Sequence, residues 1–583
     1  MTPSHSQRLA AGLIGGFAMA AFVGLSETAP GLNIVFGSPY TYSSPGEVYF
    51  WLGHALLLFP GACLLGYALS PWLGPLLARS WRGIEQMDRR QRAAGLLLLT
   101  VATVLVARAG HALFLLDYPV TDDENAARFG GQVLAMGRLM VPAPQPFGAF
   151  PSLYLYLRDG MVTSFDWLGP QLAWAVAELS GLGPWVFALA AALPVPCLGY
   201  ILARRLGRPW GALACLVFLL SPMAFALSLT THAHLLSRGL LALGLVLFVR
   251  ADSGGSLTRW TLTGLALGAG FLCRPAEIAC LSLPLFADRL VRAVRREPGA
   301  PRAVAGLLLG GAMPLLLFAL HNWQVTGDPL LPPRMGPGAI VWFQKEAASL
   351  WSRFGANTSY NLFMLTIWFL GPLGVLLVSL GAMTDRFTRL LGLGVLTALG
   401  LGLLHDDHGL HIVGPIHYSE CVVPLSILAV HGLANLVDRC RSLGLGLTQL
   451  ASMVFAALVL GLGSFNALHT SALHRQALVQ DALYGFAEKS GVRHAVVLAP
   501  QFATTWKAIP PLSEVGSFVL SWRHVRPDLS DDVMFLGDGP GMEGRLRREF
   551  RDRAFFRLSV LDEPPYLHLE SLPDVEDEAG GSR

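Results

Sequence analysis

Charge is scarce in this chain. Only 14% of its 583 residues are Asp, Glu, Lys or Arg, and the 42 basic and 39 acidic residues leave a formal net charge of +3. The basic residues fall in short scattered clusters, so no basic face is offered to a nucleic acid and that class of partner is set aside. Cysteine is also sparse. Cys63, Cys197, Cys215, Cys273, Cys280, Cys421 and Cys440 lie in or beside apolar runs, without the paired spacing of a zinc site or a disulfide framework. Phosphate loops are missing: "GLIGG" at 12–16 and "GDGPG" at 537–541 have neither the strand–loop–helix context nor the lysine, so no nucleotide cofactor is expected.

What the chain has instead is oil. Hydrophobic residues make up 53%, with 31 Phe, and mean hydropathy is +0.51. Runs of about 20 apolar residues, the length that crosses a bilayer core, predict a polytopic all-α transmembrane bundle of about 11–13 spans. Between 260 and 287 two shorter apolar pieces are interrupted by Cys273-Arg274-Pro275, which reads as two short helices leaving and returning to one side, with Arg274 at the turn facing inward. Roughly twenty basic residues fall on one side of these spans against about six in the opposite short loops, which places the N-terminus in the cytoplasm.

From 467 onward the oily runs stop. "RHAVVLA", "DVMFLGD", "FFRLSV" and "YLHLESL" read as strands, with helical stretches at 474–490 and 541–553, a small C-terminal α/β extracytoplasmic domain over 467–572. The acidic, glycine-rich 573–583 reads as a disordered tail. The expected organisation is two N-terminal helices and a basic cytoplasmic loop (1–92), a transmembrane core (93–466) with outer loops at 117–184, 321–360 and 405–420, and then this domain.

Against this scarcity of charge, Asp122, Asp123 and Glu124 stand in a row at the first outer loop. Thr121 to Glu124 spells a capping box, and Ala126, Phe129, Val133, Met136 and Met140 continue at helical spacing. A cap accounts for Thr121 and Glu124. Three adjacent carboxylates repel one another unless a cation or ligand offsets them, so Asp122 and Asp123 are open to two readings, structural cap or functional site.

This layout resembles the GT-C glycosyltransferases, the membrane enzymes that include protein O-mannosyltransferases and bacterial aminoarabinose transferases. The resemblance runs from 93 to about 440. It is carried by Asp123-Glu124 followed by "NAARFGGQVLAMGRL" with Gly137 closing the helix, and by "FLCRPAEIACLSLPL", "HNWQVTGDPLLPP", "FGANTSYNLFMLTIWFLGPLG" and "GPIHYSECVVPL". The chain departs from the pattern in its two extra N-terminal helices and in reading Asp-Asp-Glu. The resemblance implies a location in the bacterial inner membrane and a sugar carried on a polyprenyl phosphate. It implies transfer with inversion to an extracytoplasmic lipid, glycan or protein acceptor, with Asp123 as base or acceptor-orienting group and Asp122 and Glu124 beside it.

The leaving phosphate needs a cation. Arg274 is the first choice, against the alternative that it pairs with Glu277; Lys345 and Arg334 follow. In "HDDHGLHIVGPIHYSE" (405–420), His417, Tyr418 and Glu420 are candidate substrate contacts because they enter the next span. With Asp123, His405 and His408 are candidate ligands for Mg2+, Mn2+ or Zn2+. His232 and His234, at a helix start, are expected to point apart. Two other classes stay open: a lipid or polysaccharide transporter, for which Arg108 and His111 inside a span argue, and a non-catalytic scaffold of a surface-glycan complex.

Overall fold

The structure, a computed structural model, describes residues 4–28, 52–341, 349–404, 413–444, 446–513 and 515–573. It divides into two compact units: 1–114, 184–318 and 346–473 form the first, and 115–183, 319–345 and 474–583 the second.

The first unit is helical and built for lipid; the chain is a multi-pass membrane protein. Among the described residues, seven helices are long and apolar enough to cross a bilayer, or nine if each of two bent pairs counts as one span. The bends are sharp, 85° between His54–Ala68 and Ser70–Gln86 and 63° between Arg208–Leu220 and Pro222–Ser228. Each second helix carries a proline in its first turn, Pro71 or Pro222, which has no N–H to continue the preceding turn. Leucines at 97, 98, 308 and 309 are exposed, as a lipid-facing surface requires. Where helices meet, small residues let the backbones approach. A Cβ on Gly381 would strike the Leu428 carbonyl, and one on Gly432 the Leu377 carbonyl, so helices Pro372–Ala382 and Val422–Ser442 cross in close contact.

Two expectations are corrected here. The pieces around Arg274 are not short: Leu257–Cys273 has 17 residues and Pro275–Val294 has 20, each long enough to extend roughly 25–30 Å. The polar residues at their ends, which break the hydropathy pattern, are helical all the same. The last helix of the transmembrane core also does not end at 466. It runs unbroken from Leu447 to Lys489, through a π-helical turn at Ala457–Leu462, because nothing in "NALHTSAL" (466–473) breaks a helix.

The second unit holds two sheets. In the first, β1 (Val141–Pro142), β2 (Leu155–Arg158) and β3 (Met161–Ser164) pair antiparallel in the order β1-β3-β2, with Val141 opposite Val162 and Leu155 opposite Ser164. Helix Asp122–Ala135 seats Phe129 and Val133 with Val141, Leu155 and Val162. It lies close on helix Leu168–Ser180, since a Cβ on Gly131 would overlap Trp174.

The second sheet has β4 (Ala495–Ala499), β5 (Val533–Gly537), β6 (Ala554–Val560) and β7 (Leu567–Leu572) in the order β5-β4-β6-β7, parallel except for β6–β7. All four strands lie where the sequence predicts them. Central β4 is buried along its whole length, which is why it reads as an unbroken apolar run. Val497 and Ala499 face Phe502, Trp506 and Trp522, while Val496 and Leu498 face Leu546 and Phe550. Ala149 and Phe150, from the stretch after β1, join that second cluster.

Candidate active site

The acidic stretch opens the helix Asp122–Ala135. Thr121 is extended (φ −138°, ψ 153°), and both halves of the capping box form. Glu124 Oε2 accepts from the Val120 N–H at 2.8 Å and the Thr121 N–H at 3.1 Å. Glu124 is therefore engaged in the cap, as the spacing predicts.

The two aspartates part company. Asp122 is 2% exposed. Its Oδ2 accepts from the Leu520 N–H at 2.7 Å, and its Oδ1 from the Ser521 hydroxyl at 2.7 Å and N–H at 3.3 Å. Burial pushes this carboxyl up to about 7, against the pull of those hydrogen bonds. Asp123 turns the other way: its side chain keeps 27% exposure and faces Arg334, whose Nη2 lies 3.4 Å from Oδ1. The same guanidinium reaches toward Asp166 at 3.9 Å and lies over the rings of Phe165 (4.8 Å) and Trp167 (5.6 Å). Arg334 is carried on a 3-10 turn, Pro333–Met335, preceded by Pro332, where two prolines restrict the backbone. One cation on an aromatic shelf thus serves two carboxylates.

Asp166, beside Arg334, was not singled out from the sequence. Its signal is an acid two residues after β3, and a structural reading suffices for that position: Oδ1 accepts from the Trp167 N–H at 2.8 Å.

The membrane unit holds a second polar cluster, assembled around Glu420. Its Oε1 accepts from Ser237 Oγ and lies 2.8 Å from His234 Nδ1, with all three side chains buried. His232 and His234 do not point apart. Their ring centroids are 4.9 Å from one another, because His232 precedes the helix that starts at His234 and the helical 100° step does not apply to it. Tyr418 is buried, its hydroxyl accepting from Asn361 Nδ2 at 2.7 Å, and His417 is half-buried in the same 3-10 element, Ile416–Cys421. Arg274 sits at the junction of its two helices and binds Glu277 through Nε (3.0 Å) and Nη2 (2.5 Å). His111 Nδ1 lies 2.9 Å from the Leu229 carbonyl, and Arg108 packs over Trp185 at 5.9 Å. Lys345, His405 and His408 lie outside the described residues. Among the described residues no three His, Cys, Asp or Glu side chains converge as metal ligands. Asp123, the remaining candidate ligand, has Arg334 at its side.

Residues 168–321 match the family model for dolichyl-phosphate-mannose-protein mannosyltransferase. ArnT from Cupriavidus metallidurans in the apo state superposes with a TM-score of 0.51 at 14% identity, over 81% of this chain and 94% of that one. The chain has the GT-C fold. The structure of ArnT bound to undecaprenyl phosphate superposes with a TM-score of 0.50, also at 14% identity, over 82% and 98% of the two chains. The Archaeoglobus fulgidus oligosaccharyltransferase in the apo form reaches 0.43 at 10% identity, over 72% of this chain and 64% of that one. No curated protein sequence matches. The matched family stretch begins after residue 124. It therefore bears on the GT-C helices and leaves the acids to be argued from their own geometry.

Proposed function

We propose that this GT-C protein is a glycosyltransferase that moves a sugar from a polyprenyl phosphate to an acceptor hydroxyl outside the cytoplasm, with inversion. Asp123 is the base. The acceptor O–H gives its proton to the Asp123 carboxylate as the oxygen bonds to the anomeric carbon. The bond from that carbon to the phosphate oxygen breaks, and its electron pair leaves with the lipid phosphate. One observation carries the assignment: of the three acids, Asp123 is the one whose carboxylate is neither in the cap nor on the 520–521 backbone, but part-exposed beside a cation.

Arg334 is the cation assigned to the charge that develops on the phosphate. Its contacts to Asp123 and Asp166 are long, at 3.4 and 3.9 Å, and a planar guanidinium suits phosphate oxygens. Arg274, the first choice from sequence, is tied to Glu277 and takes a role only by exchanging that carboxylate for phosphate. ArnT, of the same fold, has been solved with undecaprenyl phosphate, which supports a donor of this class. In this reading the N-terminus is cytoplasmic, residues 115–183 face outward, and the membrane is the bacterial inner membrane.

The test uses purified protein in nanodiscs made with extracted bacterial envelope lipids and glycans, which supply acceptor hydroxyls, and synthetic undecaprenyl phosphate carrying mannose, glucose or aminoarabinose, with release of undecaprenyl phosphate as the signal. Wild type turns over at least one donor and Asp123→Asn turns over none. A transport reading draws on the buried His234–Glu420 pair, since ionisable pairs inside a membrane mark proton or substrate paths. It predicts that Asp123→Asn keeps full activity and His234→Ala loses it.

A further inference from the structure

Asp122 and Asp123 are neighbours in sequence with opposite surroundings. The strand of chain leading to them is fastened along its length to residues 480–523. Gln480 Nε2 donates to the Pro119 carbonyl. Tyr118 stacks on Tyr484 at 5.9 Å, and the Arg523 guanidinium lies over both rings, at 5.5 and 5.1 Å. Thr121 makes a parallel bridge with Phe518. The series ends at Asp122, whose two carboxylate oxygens take three donors from Leu520 and Ser521.

With both oxygens engaged and the side chain 2% exposed, Asp122 is placed to hold and not to react. What it holds is the first turn of the helix, the part that frays first when its end is not tied down. The Cα of Asp123 is one peptide away, about 3.8 Å. With the Asp122 side chain locked, Asp123 has its own side-chain torsions and little else by which to move, and Arg334 restrains it from the far side.

We propose that Asp122 is a positioning residue: its docking on Leu520 and Ser521 sets where the Asp123 carboxylate is presented to the acceptor hydroxyl. The proposal rests on the reading of Asp123 as base. It gives residues 518–521 a function in the reaction, and it explains why this chain carries Asp-Asp-Glu: a latch, a base and a cap, in that order. A misplacement of about 1 Å at a reacting group costs on the order of a hundredfold in rate, so a latch one residue from the base is sufficient to matter.

The experiment uses the full chain in nanodiscs with the undecaprenyl phosphate sugar that wild type turns over. Ser521→Ala removes one of the three donors, Ser521→Thr retains it, and Asp122→Asn places an amide where two N–H groups point. Ser521→Ala is expected to lower kcat about tenfold and Asp122→Asn about a hundredfold. Donor KM stays within about twofold in both, Ser521→Thr restores kcat, and the melting temperature of Ser521→Ala stays at the wild-type value. Wild-type kcat in Ser521→Ala and Asp122→Asn, alongside a dead Asp123→Asn, overturns the latch and leaves the base standing. A fall in kcat that follows the melting temperature and is not rescued by Thr also overturns it. An active Asp123→Asn, or no turnover by wild type, overturns the base and the latch together.

Discussion

The guanidinium of Arg334 lies 3.4 Å from the carboxylate of Asp123, although 211 residues separate them. Arg334 also reaches Asp166 and lies over Phe165 and Trp167, a setting that suits a planar, forked cation. Arg334→Lys keeps the charge and loses the fork and the stacking. It is expected to lower kcat about tenfold, and Arg334→Ala by about a hundred- to a thousandfold, the range for removing one stabilising donor from an active site. Initial rates with the active undecaprenyl phosphate sugar decide this, and equal rates in Arg334→Lys and wild type would remove the cation from the reaction.

Asp123 and Glu124 differ by one position and should differ in kind. Asp123→Asn abolishes turnover with little change in stability. Glu124→Gln retains an acceptor for the Thr121 N–H and keeps most activity, while Thr121→Ala destabilises the fold by about 0.5–2 kcal/mol through loss of the cap. Chemical denaturation beside a turnover assay separates the two; a Glu124→Gln protein that is folded but inert would contradict the division of roles.

His524 supplies a pH dependence. It is buried, with Nε2 at 2.8 Å from the Leu153 carbonyl, and burial holds its imidazole down at about 4, from an ordinary 6.5. The unfolded chain takes up this proton first as pH falls. Stability is therefore complete above about 6.5 and declines between there and about 4, by roughly 3 kcal/mol in all. Melting temperatures recorded across that window should fall less steeply for His524→Gln, and parallel slopes would refute the assignment.

Glu420 is tested by subtraction. Glu420→Ala strands the His234 Nδ1 and the Ser237 hydroxyl in a buried site, at a cost of about 1–3 kcal/mol for each polar group left unpaired. Glu420→Gln keeps an acceptor oxygen and should cost less. Denaturation midpoints in detergent rank the three proteins, and an Ala variant as stable as wild type would mean that the cluster contributes nothing to the fold.

Much of this architecture follows from local chemistry. Long apolar runs mark spans wherever they occur, T-x-x-E marks a helix start, and an unbroken apolar stretch such as "AVVLA" marks a central parallel strand; each signal is complete within a few residues. The same holds for the four strands after 490 and for the turn at Gly137, whose φ of +72° suits glycine. These features were legible because nothing distant is needed to produce them.

The site was legible only in its acids. Sequence placed three carboxylates at one loop and could not tell their surroundings apart, because those are made by partners hundreds of residues away: Leu520 and Ser521 for Asp122, Arg334 for Asp123. It placed Arg274 first and Arg334 among the runners-up, because a charge inside an apolar run stands out and one in a loop does not, and nothing local marks Asp166 as the neighbour of Arg334. Composition and periodicity determined that this chain enters a membrane and carries an α/β layer, since burial and hydrogen bonding are satisfied segment by segment. Which aspartate is buried and which is presented was decided by tertiary structure, because desolvation and ion pairing depend on what the fold brings within a few ångströms.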